Sequence, residues 1–211
     1  MLSENKHVLR VHRFLPETEV EGPGRRAALW VQGCPIQCPG CANGATWSFD
    51  GGHMATVGDL FSKIQKQQNI EGVTFIGGEP FSQARALAEL GRLCREHGLS
   101  IVTFTGYEHS RLVAAGRPDW NDLLAVTDLL LAGPFLEEQK DFSRPWVGSH
   151  NQEFVFLTHR YRHLQTEGFL AKNGLEIQIA PDGGVRLNGL APVEDILSFR
   201  QELASLGLQT N

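Results

Sequence analysis

Residues 33–43 read Gly33-Cys34-Pro35-Ile36-Gln37-Cys38-Pro39-Gly40-Cys41-Ala42-Asn43 and hold three of the chain's four cysteines in the spacing C-x3-C-x2-C. The backbone from Cys34 to Cys41 reaches at most ~25 Å when fully extended, so a loop can fold back until all three sulfurs face one centre. Pro35, Pro39 and Gly40 favour that bend. Thiolates are soft ligands that suit zinc or iron–sulfur clusters. A structural zinc ion takes four protein ligands, whereas a cubane cluster held by three cysteines leaves one iron open to chemistry. The zinc reading needs a fourth ligand, for which Cys94 or a histidine such as His53 is the candidate. Cys94, however, falls on the apolar stripe of an expected helix, where a free thiol packs as a small hydrophobe.

Working outward, residues 27–31 form a short apolar run that enters the loop directly, so the cysteines hang from the end of a buried strand. Upstream, residues 8–14 alternate in part, Leu9 and Val11 against Arg10 and His12, which predicts an edge strand or a lead-in. Downstream, Thr56 with Asp59 marks a helix start, and Val57, Leu60, Phe61 and Ile64 share one face. Residues 72–76 are the next strand, ended by Gly77 and Gly78. Glycines there let backbone approach a ligand closely, and they equally make an ordinary strand-to-helix turn. A second helix is expected from Ser82, with Leu87, Leu90 and Cys94 on its stripe and a stop at Gly98. Residues 99–104 and 127–131 are further strands, and a less regular helical stretch between them ends over residues 121–125. This rhythm predicts an α/β fold about a parallel sheet with right-handed crossovers.

Beyond Pro134 the pattern changes. Residues 176–180 and 185–188 alternate about Pro181-Asp182-Gly183-Gly184, a hairpin pattern, and Pro192 opens a last helix with Ile196, Phe199 and Leu203 that stops at Gly207. No repeat, low-complexity tract or linker separates this tail, so one domain is expected over residues 1–211, with a core of about 21–152 and an extension of about 153–211.

At 211 residues the chain is long enough to bury a sizeable core. Apolar residues at 41% and charged residues at 20% describe an ordinary globular chain, neither disordered nor fibrous. A net charge of −5 disfavours a nucleic-acid partner, which would call for a strongly basic face. Residues 1–15 intersperse Lys6, Arg10, His12 and Arg13 with apolar residues, and no segment reaches transmembrane length; a cytoplasmic protein with no membrane partner is expected. Clustered cysteines in such a chain read as metal ligation rather than as a disulfide framework.

The cysteine spacing, followed by Gly77-Gly78-Glu79-Pro80, resembles the radical S-adenosylmethionine (SAM) superfamily. Glu21-Gly22-Pro23-Gly24-Arg25 ahead of the strand, Asn43 and Thr46-Trp47 after the cysteines, Thr105-Gly106-Tyr107, Gly133-Pro134-Phe135, and Gly148-Ser149 with Asn151-Gln152 are similar to the glycyl-radical-enzyme activases. Among these the likeness is to the activators of anaerobic ribonucleoside-triphosphate reductase. Gly40, where many superfamily members carry an aromatic residue, agrees with those activators; Ala132 stands where they often carry an acid.

The resemblance implies a partial, open (β/α) radical SAM barrel, continued here by a C-terminal β-hairpin and helix, with sites at the C-terminal ends of its strands. It implies Cys34, Cys38 and Cys41 as ligands of one four-iron four-sulfur cluster. It implies a SAM-binding set of Gly77, Gly78 and Glu79 with Gly40, Asn43, Thr103 and Thr105, and no catalytic residue beyond the cluster. The chemistry implied is one-electron cleavage of SAM to methionine and a 5′-deoxyadenosyl radical, which in an activase takes hydrogen from the α-carbon of a partner's glycine. Implied partners are a glycyl radical enzyme or peptide substrate and an electron donor such as flavodoxin or ferredoxin. The alternative among enzymes is a maturase of a ribosomal peptide or small metabolite, and outside them a non-catalytic iron–sulfur or zinc-binding protein. Thr103 and Thr105 read equally as turn residues, and Trp47 and Phe49 as core packing or as a partner-facing surface.

Overall fold

Six consecutive buried residues make β2 (Arg26–Val31), the strand that carries the cysteine loop. A strand covered on both faces needs apolar side chains in both directions. Ala27, Leu29 and Val31 pack into the main core, while Ala28 and Trp30 join a second cluster on the other side. The structure, a computed structural model, describes residues 7–167, 173–179, 184–205 and 209–210.

Next to β2 run β4 (Gly72–Gly77), β5 (Ser100–Thr105) and β6 (Leu129–Ala132), all parallel to it. Four helices make the crossovers and cover one face: α1 (Val57–Gln65), α2 (Ala84–Glu96), α3 (His109–Ala115) and α4 (Pro118–Val126). Leu60, Ile64, Leu87, Leu90 and Leu123 from these helices meet Val73, Phe75 and Ile101 of the sheet. The opposite face, carrying Trp30, Ile76, Phe104 and Leu131, lines a cavity.

The remaining strands make the sheet mixed rather than purely parallel. β1 (Val8–Thr18) lies antiparallel to β2, β3 (His53–Thr56) antiparallel to β1, and β7 (Glu153–Phe156) antiparallel to β6. The order is β3-β1-β2-β4-β5-β6-β7, and the sheet is open. The expected edge strand at residues 8–14 is therefore interior, because β3 covers it. The helix expected from Ser82 begins at Ala84, after a 3-10 turn over Pro80–Gln83 whose Phe81 N–H is capped by the Glu79 carboxylate. The irregular helical stretch resolves into two helices, since Gly116 ends α3 at φ 60° and Pro118 starts α4 at its first position.

At the start of β2, Arg26 is fully buried, and its guanidinium donates to the Thr74 hydroxyl (2.8 Å), the Tyr161 hydroxyl (2.9 Å), the Pro23 carbonyl (2.9 Å) and the Val73 carbonyl (3.0 Å). Tyr161 donates in turn to Glu71 (2.5 Å), which places a carboxylate one hydrogen bond beyond the buried cation.

The extension holds α5 (His163–Glu167), β8 (Leu175–Ile179), β9 (Gly184–Gly189), α6 (Val193–Ser205) and β10 (Gln209–Thr210). β8 and β9 pair antiparallel as the alternation predicts, and β10 joins β9 in parallel, which it does not. Ala180, the turn residues Pro181, Asp182 and Gly183, and the expected helix stop at Gly207 lie outside the described residues. Among the described residues no helix is long and apolar enough to cross a membrane.

Candidate metal and cofactor site

The cysteine loop is shaped by its own return path. Gly33 N–H donates to Thr46 O (2.8 Å) and Cys34 N–H to Trp47 O (3.0 Å), so residues 33–34 run beside residues 46–47. Gln32, almost fully buried, donates through Nε2 to Ala45 O (3.2 Å) and Ser48 O (2.7 Å). Gln83 donates to the Gln32 and Arg10 carbonyls and ties the loop root to β1. Gly33 sits at φ +97°, where a Cβ would strike the Phe49 ring at 2.4 Å. Within the loop, Cys41 N–H donates to Cys38 O (3.1 Å), and Gln37 and Gly40 take left-handed backbone at φ 51° and 74°.

Cys34 is buried and Cys38 and Cys41 are half-buried, and all three line one cavity. Burial pushes the Cys34 and Cys38 thiols above their ordinary pKa, the neighbouring thiols add to the rise, and backbone N–H groups of Ile36 and Gln37 at Cys34, and of Phe135 at Cys38, pull back. The thiolate is the metal ligand, so a metal centre bound here would displace these protons, and its binding would strengthen as pH rises. Among the described residues no three His, Cys, Asp or Glu side chains gather as a single metal ion requires. Three thiolates of one loop are soft donors of the kind an iron–sulfur cluster takes. The donor set fits the cluster. Cys94 lies fully buried on α2, its thiol pushed up to about 12 by burial, and His53 is exposed on β3; neither lines the cavity, so the fourth zinc ligand considered above is not brought to the loop.

The glycine edge at the end of β4 lies in the same cavity. Gly77 has φ +103°, and a Cβ there would lie 2.8 Å from Trp30 and Val31 backbone. At Gly78 a Cβ would meet the Gly33 carbonyl at 2.4 Å, while Gly78 N–H donates to Val31 O (2.8 Å) and Glu79 N–H to Gly33 O (2.9 Å). These glycines therefore admit the close approach of the cysteine loop and of β2 backbone. Glu79 is fully buried: Oε1 accepts from Phe81 N–H (2.8 Å) and the Thr105 hydroxyl (3.0 Å), and Oε2 from Gly106 N–H (2.9 Å). Burial raises its pKa to about 7 against the pull of those donors. Its lone pairs thus join the ends of β4 and β5.

Gly40, Asn43 and Thr105 also line the cavity, whose volume is about 740 Å³. Thr103 does not; it is fully buried and bonded to the Thr127 hydroxyl at 2.9 Å. Trp47 lines the cavity half-buried, and Phe49 is 51% exposed. Sequence reasoning missed Arg13, whose guanidinium stacks 5.0 Å over the Trp30 ring, and the placement of Glu21 inside the cavity, where burial raises its carboxyl to about 8. It also missed Gln32, whose one signal is a polar residue between an apolar strand and Gly-Cys-Pro.

Residues 20–155 match the family described as "4Fe-4S single cluster domain". The anaerobic ribonucleoside-triphosphate reductase-activating protein of Salmonella typhimurium is 32% identical over 153 residues, 68% of this chain and 96% of its own length. That of Vibrio cholerae is 33% identical over 164 residues, covering 72% and 99%. The pyruvate formate-lyase 1-activating enzyme of Escherichia coli is 33% identical over 175 residues, covering 81% and 65%.

Proposed function

Because this chain belongs to the 4Fe-4S single cluster domain family, together with the anaerobic ribonucleoside-triphosphate reductase-activating proteins, we propose that it is a radical SAM activase of a glycyl radical enzyme such as anaerobic ribonucleotide reductase. The supporting observation is one of placement: three thiols of one loop and the glycine edge of β4 line the same cavity.

Cys34, Cys38 and Cys41 would hold three irons of a four-iron four-sulfur cluster, leaving the fourth to the amino and carboxylate groups of SAM. Bound together, these groups supply one-electron reductive cleavage of SAM and the hydrogen-atom abstraction that follows. The chain's own residues bind, orient and exclude water. Gly77 and Gly78 expose backbone to the methionine moiety, and Gly40 and Asn43 shape the loop side of the cavity. Glu79 acts as a positioning residue, holding the Thr105 hydroxyl and the Gly106 N–H in place. Trp30, Ile76, Phe104 and Leu131 give the chamber an apolar wall that keeps water from the reacting groups. A reductant of the flavodoxin or ferredoxin class completes the proposal.

The test is anaerobic reconstitution with iron and sulfide, then reduction in the presence of SAM. The parent forms 5′-deoxyadenosine and the Cys34→Ser, Cys38→Ser and Cys41→Ser variants do not; a candidate reductase incubated with the parent gains a glycyl radical signal in electron paramagnetic resonance. Cluster absorbance without 5′-deoxyadenosine would make the protein a non-catalytic carrier. A second reading, maturation of a peptide or small metabolite, is favoured by the extension, whose residues wall part of the chamber. Cleavage of SAM with no radical on any candidate reductase points to it.

A further inference from the structure

Part of the chamber's wall comes from outside the matched residues. The family match ends at residue 155, yet Leu187, Asn188, Gly189, Leu190, Ile196 and Arg200 line the same cavity as the three cysteines. Two thirds to three quarters of this chain already spans nearly the whole length of the reductase activators it matches, so the extension is an addition to them.

The extension is seated on the end of β1 by a buried polar seam. Thr18, fully buried, donates to Glu176 Oε2 (2.5 Å) and accepts from Asn188 Nδ2 (3.0 Å). Gly189 N–H donates to the Glu21 carboxyl. A Cβ on Gly189 would lie 2.1 Å from Gly174 O, so that position admits backbone alone. Among the described residues the apolar backing is slight: Val185 of β9 and Leu203 of α6 are buried, while Ile177, Ile179 and Leu197 are 43%, 62% and 52% exposed. Asn173 adds hydrogen bonds, accepting from the Trp146 N–H (2.7 Å) and donating to the Phe142 and Arg144 carbonyls (2.9 and 2.7 Å). A unit held by a few hydrogen bonds and small apolar burial opens at a fraction of the cost of global unfolding.

With the extension seated, the cavity of about 740 Å³ has the size that a single organic ligand commonly occupies. The activase reading places a cluster and SAM in this same cavity, whose wall includes residues 187–191. A glycine-bearing backbone segment of a partner, which the activase reading requires beside them, needs space that residues 187–191 hold.

Resting on that reading, we propose that the extension is a built-in occupant of the partner's seat. Residues 187–191 close the chamber while no partner is bound, and the hairpin leaves when the partner's glycine-bearing segment enters. The device keeps the cluster covered until there is a substrate to use it on.

The experiment uses the full-length reconstituted protein and its Thr18→Val variant, which keeps the shape of the side chain and removes both seam hydrogen bonds of the hydroxyl. Thr18 does not line the cavity, so 5′-deoxyadenosine formed per cluster with dithionite and SAM stays at the parent level. Loss of that activity in both proteins counts against the activase reading and leaves the other readouts to judge this one, since they need no SAM. In the variant, backbone amides of β9 exchange about ten times faster, the factor that losing one or two hydrogen bonds carries. Ferrozine draws iron from it several-fold faster, and a synthetic peptide carrying the glycyl radical loop of an anaerobic ribonucleotide reductase binds it several-fold more tightly. Faster β9 exchange with parent-like iron release and peptide affinity overturns the proposal and leaves a passive cover. Should Thr18→Val alone leave exchange unchanged, Glu176→Ala is added to it, and unchanged exchange in the double variant overturns the proposal as well.

Discussion

A side chain at Gly78 would begin 2.4 Å from the carbonyl oxygen of Gly33, well inside van der Waals contact, and Gly33 leads directly into Cys34. Any larger residue there pushes on the loop that holds the thiols before it touches a ligand. Gly78→Val is therefore expected to lower the iron retained after reconstitution, and not SAM binding alone; colorimetric iron and cluster absorbance per chain check this. Parent-like iron in that variant would mean the loop yields without moving its thiols. Cys94 is the opposite case, a thiol in the main core among the α2 and α4 side chains. Cys94→Ala should keep its iron and lose about 1 kcal/mol of stability, read from a guanidinium melt, because a small apolar group leaves a small cavity.

At the level of elements, α1 shows how local chemistry sets a boundary. Thr56 Oγ1 accepts the Asp59 N–H at 3.1 Å, and Leu60 and Ile64 on the next turns are buried. Thr56→Ala should cost about 1 kcal/mol in a urea melt with the slope unchanged. This helix, α2 and the four parallel strands were legible because each carries a long apolar run or stripe with a stop residue at its end. β3 and β7 were not: at four residues each they offer two alternations, too few to set a period. The thiol loop at the end of β2 was legible from residue type and spacing, whereas the glycine edge at the end of β4 read equally as a turn and became a candidate only through the family resemblance. The ties that shape them were not, since Gln32, Gln83 and Glu79 become anchors only when β1, the loop's return and the end of β5 are brought beside them by the sheet.

Across the whole molecule, two buried polar centres join the extension to the sheet. Tyr161 accepts from Arg26, donates to Glu71, and shares a 2.6 Å hydrogen bond with the Ser100 hydroxyl. Tyr161→Phe leaves a fully buried guanidinium short of a partner and should cost about 2 kcal/mol, seen as a lower urea midpoint. Glu21 makes stability depend on pH. Burial raises its carboxyl from 4.5 to about 8, so the folded chain keeps a proton that the unfolded chain releases between those values. Its contribution is complete below about 4.5 and is lost as pH rises through about 8. Glu79, raised to about 7, acts in the same direction. For the iron-free chain, the midpoint should therefore fall between pH 5 and pH 9 by less in Glu21→Gln than in the parent, the difference being a few kcal/mol at ~1.4 kcal/mol per pH unit. An equal fall in both would place the titrating group elsewhere.

The cysteine loop keeps its course through Gln32 and through backbone hydrogen bonds to Thr46 and Trp47, none of which involves a sulfur. In a zinc finger the metal is the fold, and a chelator unmakes both. Here the holder has a shape of its own. A chain stripped of its iron would keep the course of that loop, so reloading the site would be a refilling and not a refolding.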